Sequence, residues 1–172
     1  MKKILLTVAA IATFGFAQAQ DIKFGVKGGL NFTNFTGDFN TDSKVGFYVG
    51  GLADFTVTEK FHVQPELLYS AEGADNDAAI SYLRIPVMAK YYVADGFNIQ
   101  AGPEVAFKVA ADDGVDNATK SLDFGLGLGA GYEMESGLMF DARYNFGLAN
   151  IYDGDNYDLK NVGFQIGVGY RF

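Results

Sequence analysis

The sequence predicts an all-β fold, an eight-stranded antiparallel up-and-down transmembrane β-barrel. Three observations favour this fold. Apolar residues recur at every second position along eight stretches of the chain, which is the period of a β-strand. The connections between these stretches alternate between tight turns and longer polar segments. Beyond the N-terminal segment, no run approaches 18 consecutive apolar residues, so no transmembrane helix is predicted.

The composition excludes several classes of protein. The 172 residues are about the size of one domain and contain 22 Gly, one His and no Cys. Without Cys there is no disulfide framework and no thiolate metal site, and a single His excludes a two-His site. The net charge of −8 opposes nucleic-acid binding. We therefore expect no cofactor, no metal and no nucleic-acid partner.

Residues 1–19 have the features of a secretory signal peptide. Lys2 and Lys3 precede a run of 14 almost wholly apolar residues, and AQA at 17–19 supplies the small-residue pattern of a cleavage site. The run is shorter than the roughly 20 residues of a spanning helix, which disfavours a membrane anchor or a buried core helix. We predict an exported chain in which residues 20–172 form one barrel domain.

The first three strands are predicted over 22–32, 45–57 and 61–69. In each of them, bulky apolar side chains share one parity, whereas glycine, charged and amide residues share the other. Phe24 is typical of the apolar face and Lys27 of the polar face. Such strict alternation indicates a strand with two different environments on its two faces.

The fourth strand, roughly residues 80–93, is less regular. From Leu83 onward its apolar residues share one parity, with Arg84 on the other. Ile80 and Tyr82 are out of phase with this pattern, which predicts a β-bulge near Tyr82.

The last four strands are predicted over 97–109, 122–134, 138–148 and 164–172. The stretch from Leu122 is the clearest of the eight. Its even positions are apolar, and its odd positions hold glycine or a charged residue. A strand with one apolar face and one face of glycine and charge is the simplest interpretation.

Two kinds of connection join the strands. Tight turns are predicted at 58–60, 94–96 and 135–137, and long loops at 35–44, 72–79, 110–120 and 150–160. The two kinds alternate strictly along the chain. All long loops therefore lie at one end of the barrel, and all tight turns lie at the other end with both termini.

The apolar face is predicted to point outward into lipid, not inward as in a soluble lipocalin-like barrel. An eight-stranded barrel has room only for its own side chains, so the large apolar residues would overfill it. The strands also exceed the roughly 9–11 residues that a tilted crossing needs. Aromatic residues form two girdles, Phe24, Phe55, Phe61, Tyr91, Phe97, Tyr132, Phe140 and Tyr170 at one end and Phe32, Phe47, Tyr69, Phe107, Phe124, Phe146 and Phe164 at the other. We expect an outer-membrane barrel with periplasmic N- and C-termini.

Three prolines fall inside predicted strands. Pro65, Pro86 and Pro103 each lack the N–H that a strand donates to its neighbour. A closed barrel has no free edge that would tolerate this loss. We therefore expect bulges or local breaks in strand pairing at these positions.

Five stretches resemble a known family. They are FGVKGGLN at 24–31, YLRIPVMAKY at 82–91, GPE at 102–104, DARYNFGL at 141–148 and the closing segment at 163–172. They resemble the PorT-like "porin family" outer-membrane barrel domain over essentially the whole mature chain. The resemblance implies an eight-stranded barrel similar in architecture to the OmpA/OmpX type. These motifs are strand-packing patterns and not catalytic signatures, so the secretion role of the family's namesake does not follow from them.

The charged face is predicted to form a network in the lumen. Its members are Lys23, Lys27, Asp54, Glu66, Arg84, Lys90, Glu104, Lys108, Asp123, Glu133, Asp141, Arg143 and Arg171. Buried charge is tolerated only when it is paired, so the simplest interpretation is a plug of salt bridges. The alternative is a narrow porin-like channel for small solutes. It is disfavoured because the interior of an eight-stranded barrel has little room beyond its own side chains.

No catalytic site is predicted. His62 and Ser70 both lie on the lumen face, but they are four inward steps apart, which disfavours a membrane-embedded lipid-modifying enzyme. The long loops are rich in Asp, and DGDNYD at 153–158 resembles half of a calcium loop without its Gly and distal Glu. A solvated acidic surface is the favoured interpretation, with weak divalent-cation bridging to lipid phosphates as the alternative.

The last predicted strand carries an outward stripe at period two. The stripe consists of Phe164, Ile166, Val168, Tyr170 and Phe172. It resembles the recognition signal of the barrel-assembly machinery, so we expect that machinery, periplasmic chaperones and outer-membrane lipid as partners.

We predict a monomeric, non-enzymatic barrel with a structural or surface-interaction role, whose loops carry recognition of a partner that the sequence does not identify.

Overall fold

A computed structural model describes residues 21–37, 44–74, 78–111, 121–148 and 159–172. Eight strands form one closed barrel in chain order. They are β1 (Asp21–Gly37), β2 (Lys44–Thr56), β3 (Phe61–Ala74), β4 (Ala78–Tyr92), β5 (Phe97–Ala111), β6 (Leu122–Glu133), β7 (Leu138–Gly147) and β8 (Leu159–Arg171). Each strand pairs antiparallel with the next, and β1 pairs antiparallel with β8. The predicted fold class is confirmed.

Three tight turns lie at one end of the barrel, which we call the turn end. They join β2 to β3, β4 to β5 and β6 to β7. Gly96 and Gly137 have φ angles of 71° and 91°, a left-handed conformation that side chains disfavour. The start of β1 and the end of β8 lie at the same end, because Asp21 pairs with Thr56 and Arg171 pairs with Gly25. We call the opposite end the loop end.

Several strands are longer at the loop end than the sequence predicts. β1 continues to Gly37 and β3 to Ala74, through residues predicted as loop. The cause is pairing of the backbone: Gly37 is opposite Leu159, and Ala74 is opposite Ala78. Ladder hydrogen bonds hold these ends even where the side chains do not alternate in hydropathy. Of the four predicted loops, 38–43, 75–77, 112–120 and 150–158 lie outside the described residues.

The predicted bulge near Tyr82 is present, but its extra residue lies on β5. Ser81 is opposite Ala110, whereas Tyr82 is opposite Lys108, which leaves Val109 as the additional residue. The expectation that β4 itself loses phase is therefore wrong. Tyr82 is buried on the lumen face, and the alternation of β4 continues through it without a break.

Each of the three prolines lies beside a gap in the ladder. Between β2 and β3, paired positions are interrupted next to Pro65; between β3 and β4, next to Pro86; between β4 and β5, next to Pro103. The register is the same on both sides of each gap. The prolines thus remove local pairing without shifting the strands, which confirms the expected local breaks.

The apolar side chains of the strands lie on the outer surface. Phe24, Val26, Leu128, Phe140 and Val168 are representative, each about half exposed on the isolated chain. Polar and charged side chains are instead buried inside. This inside-out arrangement is the one that lipid requires of a spanning barrel. In the described residues, no helix has the length and apolar character needed to span a membrane.

Some apolar side chains nevertheless fill the lumen beside the charges. They include Tyr48, Leu52, Leu68, Ile80, Tyr82, Met88 and Met139. Glycines make room for them: a Cβ built on Gly167 would overlap the hydroxyl of Tyr48. Gly167 of β8 therefore has a packing role, because the ring of Tyr48 from β2 fills the space that a side chain there would occupy.

Candidate functional site: the charged lumen

A middle layer of charge crosses the barrel at half height. It consists of Lys27, Glu66, Asp141 and Arg143, with Gln100 beside them. The Arg143 guanidinium donates to both carboxylate oxygens of Glu66, at 3.1 and 2.9 Å, and to Gln100 Oε1 at 3.0 Å. Lys27 Nζ lies 2.9 Å from Asp141 Oδ1 and 3.7 Å from Glu66 Oε1. Two cations thus meet two carboxylates.

The bridge from Arg143 connects strands that are not neighbours in the barrel wall. Arg143 lies on β7, Glu66 on β3 and Gln100 on β5. Only 1% of Arg143 is exposed, so its guanidinium is enclosed by the lumen. A bidentate arginine–carboxylate pair combines geometric specificity with charge compensation. This contact links opposite walls of the barrel through its interior.

A turn-end layer lies between the middle layer and the tight turns. It consists of Asp54, His62, Lys90, Glu133 and Arg171. Asp54 Oδ1 is 2.5 Å from His62 Nδ1, and Asp54 Oδ2 is 3.4 Å from both Lys90 Nζ and the Arg171 guanidinium. Glu133 contacts Lys90, and it accepts from Arg171 at 2.8 Å. Both carboxylates are therefore shared by the same two cations.

A loop-end layer lies on the other side of the middle layer. It consists of Glu72, Arg84, Glu104 and Asp123. Arg84 donates to both oxygens of Glu72 at 2.5 Å and to Glu104 Oε1 at 2.6 Å. Ser70 Oγ donates a further hydrogen bond to Glu72 at 2.6 Å. Three carboxylates here surround a single guanidinium.

Two members of the predicted network differ from the rest. Lys23 lies at the turn end of β1 and is exposed, so it does not belong to the buried layers. The prediction that Lys23 lies inside the lumen is therefore wrong. Lys23 is close to the start of β1, at the rim of the barrel, where its side chain reaches the solvent. Lys108 is half-buried on the lumen face of β5, opposite Tyr82. The structure places the other eleven predicted residues in the three layers.

One charged residue of the three layers, Glu72, was not predicted. Glu72 was assigned to a loop, yet it is buried and receives two hydrogen bonds from Arg84. Its parity continues the inward series of Glu66 and Ser70, so extending the period by one step would have found it. Gln64 donates a hydrogen bond to Glu66, and Tyr92 donates one to Glu133. No sequence pattern comparable to the alternation of charges identifies these neutral partners.

The structure separates the two residues considered for catalysis. His62 pairs with Asp54 in the turn-end layer. Ser70 donates to Glu72 and accepts from Asn31 Nδ2 at 2.7 Å. The residues therefore belong to two separate clusters. Within the described ranges, no group of three or more His, Asp or Glu side chains is arranged to hold a metal ion.

The geometry defines the class of protein. A closed eight-stranded antiparallel barrel with an apolar exterior and a charged interior is a membrane-spanning barrel of the outer-membrane type. The family model of the outer membrane protein beta-barrel domain matches residues 16–153. The chain belongs to this family. None of the curated proteins matches the chain.

Solved structures share the fold at low sequence identity. The Neisserial surface protein A, NspA, superposes with a TM-score of 0.60 at 12% identity, covering 89% of this chain and 100% of that chain. Ail, the attachment invasion locus protein of Yersinia pestis, gives 0.56 at 14% identity, with the same coverage of 89% and 100%. A de novo designed transmembrane β-barrel gives 0.53 at 13% identity, covering 87% and 95%. At such identities the likeness shows the fold alone.

Proposed function

We propose that this protein is a non-enzymatic outer-membrane barrel with a closed lumen, whose role is structural or surface-interacting. The observation that carries the proposal is the Arg143–Glu66 bridge, which connects β7 to β3 through the barrel interior. An open channel needs a continuous polar path, and this pair occupies the path at half height. The pair is stabilised on both sides by Lys27 and Gln100.

The remaining space in the lumen supports the same proposal. Two cavities lined by the described lumen side chains measure about 10 Å³ each. One lies at the loop-end layer and the other beside Lys27 and Lys90. Each is about the space that one water molecule occupies. Solutes larger than water would have to displace paired charges to pass.

Liposome swelling tests this proposal against the alternative of a narrow channel. Vesicles that contain the refolded protein should swell in small sugars or amino acids no faster than vesicles without protein. The double variant Glu66→Ala/Arg143→Ala removes the bridge and serves as the matched control for an opened lumen. Swelling by the unaltered protein would favour the porin-like channel instead.

The absence of enzymatic activity is part of the proposal. A lipid-modifying barrel needs a nucleophile within hydrogen-bond reach of its base. Ser70 instead donates to Glu72 in the loop-end layer, and His62 contacts Asp54 in the turn-end layer. Incubation with labelled phospholipid in micelles should release no labelled fatty acid, and release that is lost in Ser70→Ala would contradict this proposal.

The long loops are proposed as the recognition surface, because loops on a rigid scaffold commonly carry binding. Ail has been solved in complex with the heparin analogue sucrose octasulfate. The acidic composition of this chain, with a net charge of −8, disfavours such a polyanion as the ligand here. We infer a neutral or basic partner. Replacing the loop aspartates by asparagine should weaken binding of a basic surface protein and leave the barrel folded.

We further propose the export route and the orientation. Residues 1–19 act as a signal peptide, the mature barrel is a monomer, and its turn end with both termini is periplasmic. A label added to intact cells should react within 35–44, 110–120 and 150–160, but not at 58–60. Reaction confined to the tight turns would overturn the orientation.

The outward stripe of β8 is proposed as the signal for barrel assembly, within a PorT-like branch of the family. Phe172→Ala removes one interfacial ring, whereas the other aromatics of the girdles remain. Folding into detergent should therefore stay intact while outer-membrane levels in cells fall. Phe140→Ala, which changes a ring of β7, is the matched control. Unchanged levels for Phe172→Ala would show that the stripe is only a lipid anchor.

A further inference from the structure

A small cavity lies in the loop-end half of the lumen. Its walls come from seven strands, and the charged residues that line it are Glu72 of β3, Arg84 of β4, Glu104 of β5 and Asp123 of β6. Thr33, Asn145 and Gln165 complete its polar lining. The cavity is therefore bordered by three carboxylates and one guanidinium.

The guanidinium is already committed to two of the three carboxylates. Arg84 Nε and one terminal nitrogen donate to Glu72, and the other terminal nitrogen donates to Glu104. A guanidinium has five N–H donors in a fixed fork, and these contacts use three of them. Its opposite face lies 5.3 Å from the ring centre of Tyr82.

Asp123 is left with an oxygen that has no partner. The residue is 3% exposed, and its Oδ1 makes no hydrogen bond in the described structure. Asn145 Oδ1, on β7, is also without a partner, and its residue is 5% exposed. Both residues line the same cavity. An ionised carboxylate in this position would be a buried charge that shares one guanidinium with two other carboxylates, and such incomplete compensation is costly.

The surrounding charges compensate for Asp123 only in part. Besides Arg84, which Asp123 shares with two other carboxylates, β5 carries one cation, Lys108, which lies opposite Tyr82. Even with both cations counted, the three carboxylates leave one negative charge in excess. Groups from β1, β7 and β8 at the cavity are neutral: Thr33, Asn145, Gly147, Val162, Gly163 and Gln165. Neighbouring carboxylates disfavour a further ionised one.

Two kinds of occupant could neutralise this excess, a metal cation or a proton. The described residues offer no group of three acidic or His side chains arranged for a metal ion. A proton needs no such cage, since it binds one carboxylate oxygen directly and turns that oxygen into a hydrogen-bond donor. We propose that Asp123 binds a proton in the folded barrel, so that the loop-end layer is a proton-binding site.

Protonation of Asp123 provides a hydrogen-bonding partner for both unpaired oxygens, Asp123 Oδ1 and Asn145 Oδ1. A neutral Asp123 has an O–H to donate, and the cavity can hold one water molecule that relays this donation to Asn145 Oδ1. The residues Gly147, Val162 and Gly163 place the cavity at the loop ends of β7 and β8. The proton therefore exchanges with the solution at the loop end. This site goes beyond the closed-lumen proposal and does not depend on the identity of a surface partner.

Infrared spectroscopy of the refolded full chain tests the proposal directly. The wild type at about pH 5 should show the carbonyl stretch of one buried protonated carboxylic acid, and this band should shift in deuterated water. Asp123→Asn, which is isosteric and neutral, should fold and lose the band. Asp54→Asn is the matched control: Asp54 is buried but paired with His62, Lys90 and Arg171, so the band should remain.

Urea unfolding gives a second measurement that does not rely on the band. The folded state holds a proton that the unfolded chain releases. The urea concentration at the wild-type unfolding midpoint should therefore decrease as the pH is raised from about 5 to about 8. The midpoint of Asp123→Asn should fall less over the same interval. Absence of the band, or a band that persists in Asp123→Asn, would overturn the proposal. So would a midpoint that rises with sodium at constant ionic strength, because the site would then hold a cation.

Discussion

The turn-end and loop-end layers both combine buried carboxylates with cations, but they balance their charges differently. At the turn end, Asp54 and Glu133 share Lys90 and Arg171, and His62 adds a fifth contact. At the loop end, Arg84 pairs with both Glu72 and Glu104, and Asp123 keeps an oxygen without a partner in the described structure. The turn-end network is redundant, whereas the loop-end network depends on one guanidinium. The effect of losing a cation should therefore depend on the layer more than on the residue type.

The largest effect is expected from Arg84→Met. The substitution removes the guanidinium that pairs with both Glu72 and Glu104, and it breaks three buried hydrogen bonds to these carboxylates. Breaking a buried ion pair in this way costs about 3–5 kcal/mol of unfolding free energy. Urea denaturation of the refolded barrel measures it. A loss comparable to that of an exposed substitution would show that the loop-end carboxylates are solvated.

Arg171→Met should have a smaller effect. Its side chain is partly exposed, and Lys90 continues to contact both Asp54 and Glu133 when it is removed. We expect a loss of about 1.5 kcal/mol, in the range of a hydrogen bond to a charged group. The same denaturation experiment applies, with Arg84→Met measured in parallel. Equal losses for the two variants would remove the distinction between a redundant and a non-redundant layer.

The smallest effect is expected from Lys23→Met. Lys23 was predicted within the network, but it is exposed at the rim of the turn end. Exposed ion pairs contribute about 0–1 kcal/mol, so the unfolding free energy should change by less than about 0.5 kcal/mol. Lys27→Met, a matched lysine four residues further along β1 that contacts Asp141 and Glu66, should cost several times more. Similar losses would place Lys23 in the network after all.

The fold was predictable from the sequence because a membrane barrel has only two environments. Period-two alternation assigns each side chain to lipid or lumen, and turn residues such as Gly96 mark the hairpins. The loop-end boundaries were not predictable, since pairing of Gly37 with Leu159 holds strands together where no hydropathy pattern remains. The apolar lumen residues Ile80 and Tyr82 were missed for a related reason: the binary pattern places apolar side chains in lipid.

The membership of the charged lumen was largely predictable, but its pairing was not. Parity alone places Glu66 and Arg143 inside the barrel. Their contact joins residues 77 positions apart on strands β3 and β7. Which charges meet depends on the stagger of the closed barrel, and strand periodicity carries no information about that stagger. The excess of carboxylates at the loop end follows from the same geometry, so it became visible only with the three-dimensional arrangement.

Single-channel recording in planar bilayers tests the closed lumen most directly. The middle layer connects opposite walls through Arg143 and Glu66, so the refolded protein should insert without producing steady conductance. The double variant Glu66→Ala/Arg143→Ala should conduct, which would show that the assay detects an open lumen in this barrel. Reproducible, porin-like current steps from the unaltered protein would contradict the account and identify the charged lumen as an ion path.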